Sequence, residues 1–492
     1  MDKPEKPQEK ESQRPSQETK GSDQELARQE KVKKLIEAGI DLYPHRAEKT
    51  HSVHEAVAEF VSLTKEELEQ KKIRVVVPGR IMSIRRMGRA VFFHISDSRS
   101  KLQVYLREDV IGAEKFEIFD LFDIGDFVSV AGEFFKTKTG ELTILAKSYT
   151  LLAKAFHPLP EKWHGLQDIE LRYRKRYLDL IMNPEVGEVF RLRSSLISLM
   201  RKFFDARGFI EVETPMMHPV PGGALAKPFK TFHNALGIDL YLRIAPELYL
   251  KRLSVGGFEK VYEINRNFRN EGISSEHNPE FTMLEFYQAY IDYHDLMEMT
   301  EELLSSLAMD IHGREELPYG EKTISLKRPW KRIKYRDAVF AHSGLSPELL
   351  NDSQGLIKFA RDLAGEKESL TPVKALDVVF DKLVKPQFFQ PTFVTNTPKE
   401  ISPFAKSTRE NPEETARFEL MVAGIEIANA FSELTDAAEQ KRRFELQAEE
   451  RIEEDREKQS CRESCDHAKS AHLGYFDLVP LVLVLADHAG FP

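Results

Sequence analysis

The chain has 492 residues, 41% hydrophobic and 31% charged, the balance of a folded water-exposed protein, and at roughly 150 residues per domain this length makes about three domains. A net charge of -9 repels nucleic acid as a whole, so any such binding must come from local basic patches, and two cysteines, Cys461 and Cys465, exclude a disulfide framework and suit a reducing cytoplasm. There is no signal-peptide core, C-x-x-C pair or H-E-x-x-H helix, and the longest apolar run, Leu478–Ala486 with Pro480 inside it, is about half of the ~20 residues a membrane span needs.

Residues 1–25 are Lys, Glu, Gln, Ser and Pro with almost no apolar side chain, a composition that cannot offset its ordering entropy and is expected to be disordered. Residues 26–72 form an N-terminal helical segment. From Gln24 to Ala38 the residues Leu26, Val32, Leu35 and Ile36 recur at helical spacing amid Arg28, Lys31, Lys33 and Lys34. Those cations read as a phosphate-facing helix or, more plainly, as a solvated charged face. Thr64-x-x-Glu67 is a capping box opening a second helix that runs to about Lys72. Between residues 73 and 155 the short runs Ile73–Val77, Ala90–Ile95, Leu102–Leu106, Phe127–Phe135 and Leu142–Leu145 alternate with turn residues, and a helix interrupts near Ala113–Phe122. Five short strands with one inserted helix predict an oligonucleotide/oligosaccharide-binding (OB) barrel. Phe92, Gln103 and Glu141 are its candidates for stacking on and reading single-stranded bases. From residue types alone, a core Phe92 with Gln103 and Glu141 on the surface is the plainer reading.

From Trp163 the pattern changes. Arg172, Arg174, Lys175 and Arg176 lie among Tyr173 and Tyr177, a basic-aromatic cluster that suits nucleic acid or a helix across a domain boundary. Residues 187–208 carry helical periodicity closed by Gly208, and a strand, Phe209–Val212, ends at Pro215. In Ile264–Tyr290 an Arg-x-Glu pair (Arg269, Glu271) closes one apolar run, a polar loop follows, and a second run alternates with period two. Alternate side chains of a strand share a face, so Phe281, Met283, Glu285 and Tyr287 point one way and Thr282, Leu284 and Phe286 the other. An aromatic plate, a carboxylate and a phenol on one face suit the floor of a small polar ligand, or the polar face of an ordinary hairpin. Residues 296–311, 335–345 and 354–384 are mostly helical, and Ala416–Phe431 returns to strand character with a turn at Gly424.

This order of elements resembles the class II aminoacyl-tRNA synthetases serving lysine, aspartate and asparagine. The wording of Gly165-Leu-Gln-Asp168, Arg176-Tyr-Leu-Asp179, Glu213-Thr-Pro-Met-Met217, Gly222-Gly223-Ala224, Ala245-Pro-Glu-Leu-Tyr-Leu-Lys251 and Asn429-Ala-Phe-Ser-Glu433 is similar to the lysine-specific branch. The resemblance runs from about residue 26 to about residue 450. It implies an α+β fold: an antiparallel synthetase sheet flanked by helices over residues 156–458, preceded by an anticodon-binding barrel. It also implies ligation of L-lysine to tRNA(Lys) with ATP and Mg²⁺, by a cytoplasmic homodimer whose first motif, ending at Pro215, lies at the dimer interface. By the same resemblance, Glu247 and the Gly223 backbone hold the α-amino group of lysine. Glu285, Tyr287 and Glu433 surround its ε-ammonium beside Phe431, and Arg269 and Asn429 orient its carboxylate. Arg269 is the catalytic cation that neutralises the α-phosphate, Phe281 stacks on adenine, and Glu271, His277 and Asn278 lie in the loop around ATP. Glu419 and Glu426 are implied as carriers of Mg²⁺; seven residues apart across Gly424, they come together only if the chain forms a hairpin there.

The match stops near Lys458. Synthetases of this class end in a third motif, a glycine-rich strand and a helix opening with Asp-Arg, and residues 459–492 contain neither. That departure predicts a sheet short of one strand, a missing phosphate-binding arginine and impaired activation. It also leaves an alternative, a non-catalytic tRNA-binding or regulatory paralogue. Attachment of lysine-like groups to a protein acceptor is disfavoured by the anticodon-binding barrel.

Overall fold

The computed structural model describes residues 23–160, 166–223, 226–274, 277–365, 370–452 and 471–477, which divide into two compact units, residues 1–188 and 189–492. Residues 1–22, Cys461, Cys465 and Leu478–Ala486 lie outside the described residues, so the expectations about them stand outside the structure.

In the first unit a closed barrel of order β1-β2-β3-β5-β4 is built from β1 (Arg74–Met87), β2 (Ala90–Ser96), β3 (Lys101–Arg107), β4 (Phe127–Lys136) and β5 (Leu142–Ala153). Strands β2 and β3 alternate buried with more exposed residues, so Val91, Phe93, Ile95, Leu102, Val104 and Leu106 fill the interior. Three helices precede the barrel: α1 (Asp23–Glu37), α2 (Val53–Phe60) and α3 (Lys65–Lys71). The Thr64/Glu67 capping box forms as read. A second box, Ser52/Glu55, starts α2, which the sequence reading missed although its signature, Ser-x-x-Glu ahead of an apolar run, is of the same kind. Helix α1 begins at Asp23, so residues 23–25 are helical rather than part of the expected disordered segment.

The basic residues of α1 divide: Lys33 and Lys34 are exposed, as a solvated charged face requires, while Arg28 and Lys31 are engaged with the protein. Arg28 is buried and donates to the carbonyls of Ala155 (2.7 Å), His157 (3.2 Å) and Ile124 (3.0 Å). Lys31 pairs with Asp123 at 2.6 Å. Two of the four cations therefore tie the helix to the barrel. The basic-aromatic cluster behaves similarly: Arg172 (2.7 Å) and Arg176 both bind the buried carboxylate of Asp179, and Arg176 lies over the Tyr173 ring.

The second unit is built on an eight-stranded sheet. Its strands are β6 (Ile210–Glu211), β7 (Lys260–Phe268), β8 (Glu280–Ala289), β9 (Lys331–Lys334), β10 (Thr392–Thr395), β11 (Arg417–Val422), β12 (Ile425–Ser432) and β13 (Ala471–Asp477), in the order β9-β10-β11-β12-β13-β8-β7-β6. Most neighbours are antiparallel; β6 joins β7, and β9 joins β10, in parallel. One face packs on two long helices, α4 (Val186–Asp205) and α6 (Tyr293–His312). Leu284 and Phe286 of β8 meet Met200, Phe204, Leu296, Leu303 and Leu307 in one core. The helix expected at 187–208 is α4, followed by Gly208 at φ +76°.

The expectation of a missing strand is corrected. Segment Ala471–Asp477 forms β13, paired antiparallel to β8 from Met283↔Asp477 to Ala289↔Ala471 and to β12 from Ala428↔Phe476 to Ser432↔His472. Two interior strand edges with unpaired N–H and C=O groups need a neighbour. The ladder is made of main-chain bonds, so a Pro-free segment can fill that slot without the family's glycine pattern.

Candidate active site

The face of the sheet opposite α4 and α6 carries the polar residues singled out in the sequence. The β7/β8 register sets Glu263 opposite Glu285, Asn265 opposite Met283 and Asn267 opposite Phe281. The predicted alternation of β8 holds: Leu284 and Phe286 enter the large core, Phe281 and Met283 cluster with Ala245 on the other side, and Tyr287 packs with Leu250 and Val261. The plain hairpin alternative fails because this polar face is buried, with Glu285 only 2% exposed.

Helix α5 (Glu247–Val255) closes one end of the floor. Pro246 precedes it, and Glu247 stands in its first turn, where the helix dipole favours a carboxylate. Gly223 approaches the start of α5 so closely that a Cβ there would lie 3.2 Å from the Ala245 Cβ and 3.3 Å from the Glu247 Cβ. Its φ of +92° also suits glycine. Lys251, one turn after Glu247, places Nζ 2.6 Å from Glu247 Oε1 and 2.9 Å from Glu433 Oε2, with the rings of Phe404 and Phe431 at 5.1 and 5.9 Å. The Tyr287 hydroxyl donates to Glu285 Oε1 at 3.0 Å.

Burial, and then the charge of nearby Glu247, pushes the Glu285 carboxyl up to about 8. Burial and Glu247 also raise Glu433, and Lys251 opposes them. Glu263 is neutralised separately: Arg243 Nη1 binds it at 2.8 Å, and Thr214 donates to it from both N (3.2 Å) and Oγ1 (2.7 Å). The pocket thus gathers Glu247, Glu285 and Glu433 around one resident ammonium, an arrangement that attracts a further cation.

At the other end, Arg269 lies with its guanidinium 5.1 Å from the Phe281 ring centre, and its Nε is buried without a hydrogen-bond partner. Glu271, His277 and Asn278 are exposed in the loop between β7 and β8. His277 Nδ1 and the Ser274 hydroxyl are 2.9 Å apart there.

The expected hairpin between β11 and β12 is present, turning at Ala423 and Gly424, both at positive φ. A register shift beyond Leu420 puts Glu426 opposite Met421, while Glu419 pairs with Asn429. The hairpin pair Met421↔Glu426 puts Glu426 on the face of Glu419, two residues from Met421, and the bulge brings Asn429 onto that face with them. Burial, and then Glu426, pushes Glu419 up to about 7, against the pull of Arg417 at 2.6 Å. Arg417 also donates to Asn429 Oδ1 at 3.2 Å. The two carboxylates are hard oxygen donors short of positive charge, which fits a divalent ion that completes its shell with phosphates and water. Among the described residues no group of three or more His, Cys, Asp or Glu forms a metal cluster by itself.

On the barrel, Phe92, Gln103 and Glu141 come together on one outer face. The core aromatic is Phe93; Phe92 is half-buried and stacks on Tyr105 at 4.3 Å, which overturns the reading of it as core. Gln103 Nε2 donates to Glu141 Oε2 at 2.8 Å, and His94 Nε2 lies 3.1 Å from Glu141 Oε1.

Sequence reasoning missed Lys251, Arg243, Glu263, Arg417, Tyr105 and His94 as members of these sites. Lys251 was signalled by its i+4 spacing from Glu247 on an amphipathic helix, and Tyr105 by its two-residue spacing from Gln103 in a strand. Arg417 was signalled in the same way by its two-residue spacing from Glu419, whereas Arg243 carried no local signal, because its partners Thr214 and Glu263 are distant in sequence.

Residues 168–474 match the family model of tRNA synthetases class II (D, K and N), and residues 75–152 match the OB-fold nucleic acid binding domain. The lysine–tRNA ligase of Pelotomaculum thermopropionicum is 52% identical over 434 residues, covering 87% of this chain and 84% of that protein. The lysine–tRNA ligase of Carboxydothermus hydrogenoformans is 51% identical over 425 residues, 86% of each chain. That of Bacillus subtilis is 48% identical over 435 residues, 87% of this chain and 86% of that one.

Proposed function

The chain belongs to the class II tRNA synthetases of the D, K and N group, and on that premise we propose that it joins L-lysine to tRNA(Lys) at the expense of ATP. The carrying observation is the pocket of Glu247, Glu285 and Glu433 around a single ammonium, which suits a substrate with two ammonium groups. Glu247 and the Gly223 backbone take the α-amino group. Glu285, Tyr287 and Glu433 take the ε-ammonium, and Phe431 flanks the aliphatic stem. Charge-assisted bonds of this kind discriminate strongly against uncharged analogues.

Arg269 and Asn429 orient the lysine carboxylate towards the α-phosphate of ATP. An oxygen of that carboxylate attacks the α-phosphorus, the bond to the bridging oxygen breaks, and pyrophosphate leaves. No protein nucleophile is needed, so positioning and charge neutralisation by Arg269 lower the barrier. Phe281 supplies the adenine platform, with Glu271, His277 and Asn278 in the loop that covers ATP. Glu419 and Glu426 are the residues that would hold Mg²⁺, whose chemistry is to neutralise the phosphates. The lysyl group then passes to a ribose hydroxyl of tRNA as AMP leaves. We place the protein in the cytoplasm, as a homodimer through its first motif. Among the described residues no helix is long and apolar enough to cross a membrane.

Anticodon bases stack on Phe92 and Tyr105 and bond to Gln103 and Glu141. Phe92→Ala is expected to weaken tRNA binding by roughly tenfold, since base–aromatic stacking contributes about 1–3 kcal/mol per base. Filter binding measures it, and an unchanged affinity would show that the anticodon lies elsewhere.

Residues 459–492 lack the glycine run and the Asp-Arg pair, so activation by this chain is proposed to be weak. Calorimetry should show lysine binding in preference to norleucine, whereas lysine-dependent ATP–pyrophosphate exchange should stay far below that of the Bacillus subtilis relative. Absence of lysine binding removes the substrate assignment; robust exchange removes the impairment. Tight tRNA binding with no exchange at all would favour the non-catalytic paralogue, the reading that the divergent tail supports.

A further inference from the structure

We propose that Lys251 is a positioning residue of the amino-acid pocket, whose ammonium bridges Glu247 and Glu433 and holds both carboxyls aimed at the incoming substrate cation. The proposal rests on the lysine reading above. It starts from the bridge itself, with Nζ 2.6 Å from Glu247 Oε1 and 2.9 Å from Glu433 Oε2. The bridge joins helix α5 to the segment just after β12, two parts of the chain 182 residues apart by number (433 − 251).

The ammonium uses one oxygen of each carboxylate. Glu433 Oε1 remains buried with no hydrogen-bond partner. A buried carboxylate oxygen left open in this way is costly unless a donor arrives, and the ε-ammonium of the ligand supplies one. Lys251 therefore does not have to leave for substrate to enter. It holds Glu433 by Oε2 and leaves Oε1 for the ligand, while the Phe404 and Phe431 rings, 5.1 and 5.9 Å from Nζ, steady the cation.

The charges that face Glu433 are Lys251 and Glu247 from α5 and Tyr287 from β8; Glu247 in turn faces Glu285. From the loop at residues 404–405 come only Phe404 and the Ala405 backbone. Burial and Glu247 both favour a protonated Glu433, and Lys251 is the group that opposes them. Without it, Glu433 stays protonated to higher pH and presents a neutral group to the ligand ammonium.

Lysine and ATP binding to the full chain are measured separately by calorimetry between pH 6 and pH 8.5 for the wild type, Lys251→Met and Lys251→Arg. Lys251→Met is expected to weaken lysine binding by roughly tenfold or more at pH 7, the scale of one charge-assisted hydrogen bond. That deficit should shrink towards pH 8.5 as Glu433 ionises without help, ATP affinity should stay within about twofold, and Lys251→Arg should recover most of the loss.

An unchanged lysine affinity in Lys251→Met overturns the proposal. So does a deficit of the same size at every pH, which would mark a merely structural bridge, or a parallel loss of ATP binding. If Lys251→Met does not fold, Lys251→Gln, which keeps a donor for the carboxylates but not the charge, takes its place with the same expected pH-dependent deficit. Wild-type protein that binds ATP and not lysine would instead remove the lysine reading beneath the proposal.

Discussion

Glu285→Gln is expected to weaken lysine binding by roughly a hundredfold and to leave ATP affinity within about a factor of two. The amide is nearly isosteric, so it keeps the packing of a residue only 2% exposed and removes only the charge. Tyr287 already donates to Glu285 Oε1 at 3.0 Å, so the other oxygen is the one left for the ligand. An amide must meet the ammonium with its carbonyl, giving a weaker bond, or with its NH₂, giving a clash of donors. A hydrogen bond to a charged group contributes about 1.5–3 kcal/mol, and the unsatisfied ammonium adds its own desolvation cost. Phe281 and Arg269, the proposed ATP end of the floor, are in register with or near Asn267 and Pro279 rather than with Glu285, so ATP should not feel the change. Paired titrations with lysine and ATP read the outcome, and equal losses of the two would count against the assignment.

The same carboxyl gives the wild-type protein a pH signature. Its folded value of about 8 lies above the ordinary glutamate value, because burial and Glu247 oppose its ionisation. Below neutrality Glu285 therefore holds a proton that the ligand ammonium must displace, so lysine affinity rises with pH through this range. Glu285→Gln removes that component of the rise.

Much of this site was legible because it depends on local periodicity. The alternation of Phe281, Met283, Glu285 and Tyr287 against Leu284 and Phe286 is a property of one strand, and the sheet buries both sets on the faces the pattern assigned. The barrel was legible for the same reason, with five runs bounded by turn residues. What escaped depends on partners distant in sequence. Arg28 looks like a surface cation on α1, yet three carbonyls at residues 124, 155 and 157 accept from it. Phe92 and Phe93 are equally apolar, and only the direction in which the strand enters the barrel decides that Phe93 is core. Asn429 shares the face of Glu419 and Glu426 because of one bulged residue, a feature with no composition of its own. The resemblance carried the roles of single residues further than pattern could, and it failed where the tail diverged. It treated a missing motif as a missing strand, although a strand's place in a sheet is secured by main-chain bonds.

Ending the chain after Ser470 is expected to abolish the cooperative unfolding transition of residues 189–492 while the barrel unit keeps its own. Segment Ala471–Asp477 makes seven register pairs with β8 and five with β12. Removing it leaves two interior edges of the sheet facing each other across a gap, with backbone groups that neither solvent nor neighbour can satisfy well. Each such bond contributes about 0.5–1.5 kcal/mol net, and each buried group left unpaired costs about 1–3 kcal/mol. Several of them together match or exceed the roughly 5–15 kcal/mol that stabilises a whole domain. The barrel has its own hydrophobic core, formed by Val75, Phe93, Val104, Val130 and Ile144 among others, so its transition should survive in a calorimetric scan of the truncated chain. Substituting an alternating Thr/Val heptapeptide for Ala471–Asp477 separates the main-chain contribution from the residues that happen to be there. It should restore the lost transition, whereas failure to do so would show that particular side chains of the segment carry the stability. The strand also sets the dimensions of the site. Neighbouring strands lie about 4.8 Å apart, so a single intervening strand holds Glu285 on β8 and Asn429 on β12 roughly 10 Å apart. Both face Tyr475 in the register. A sheet that closed over the gap would halve that width and bring the carboxylate proposed to bind the ε-ammonium against the amide proposed to orient the other end of the same substrate. The unusual tail therefore keeps the floor of the pocket at its working span even though its sequence departs from the family's third motif.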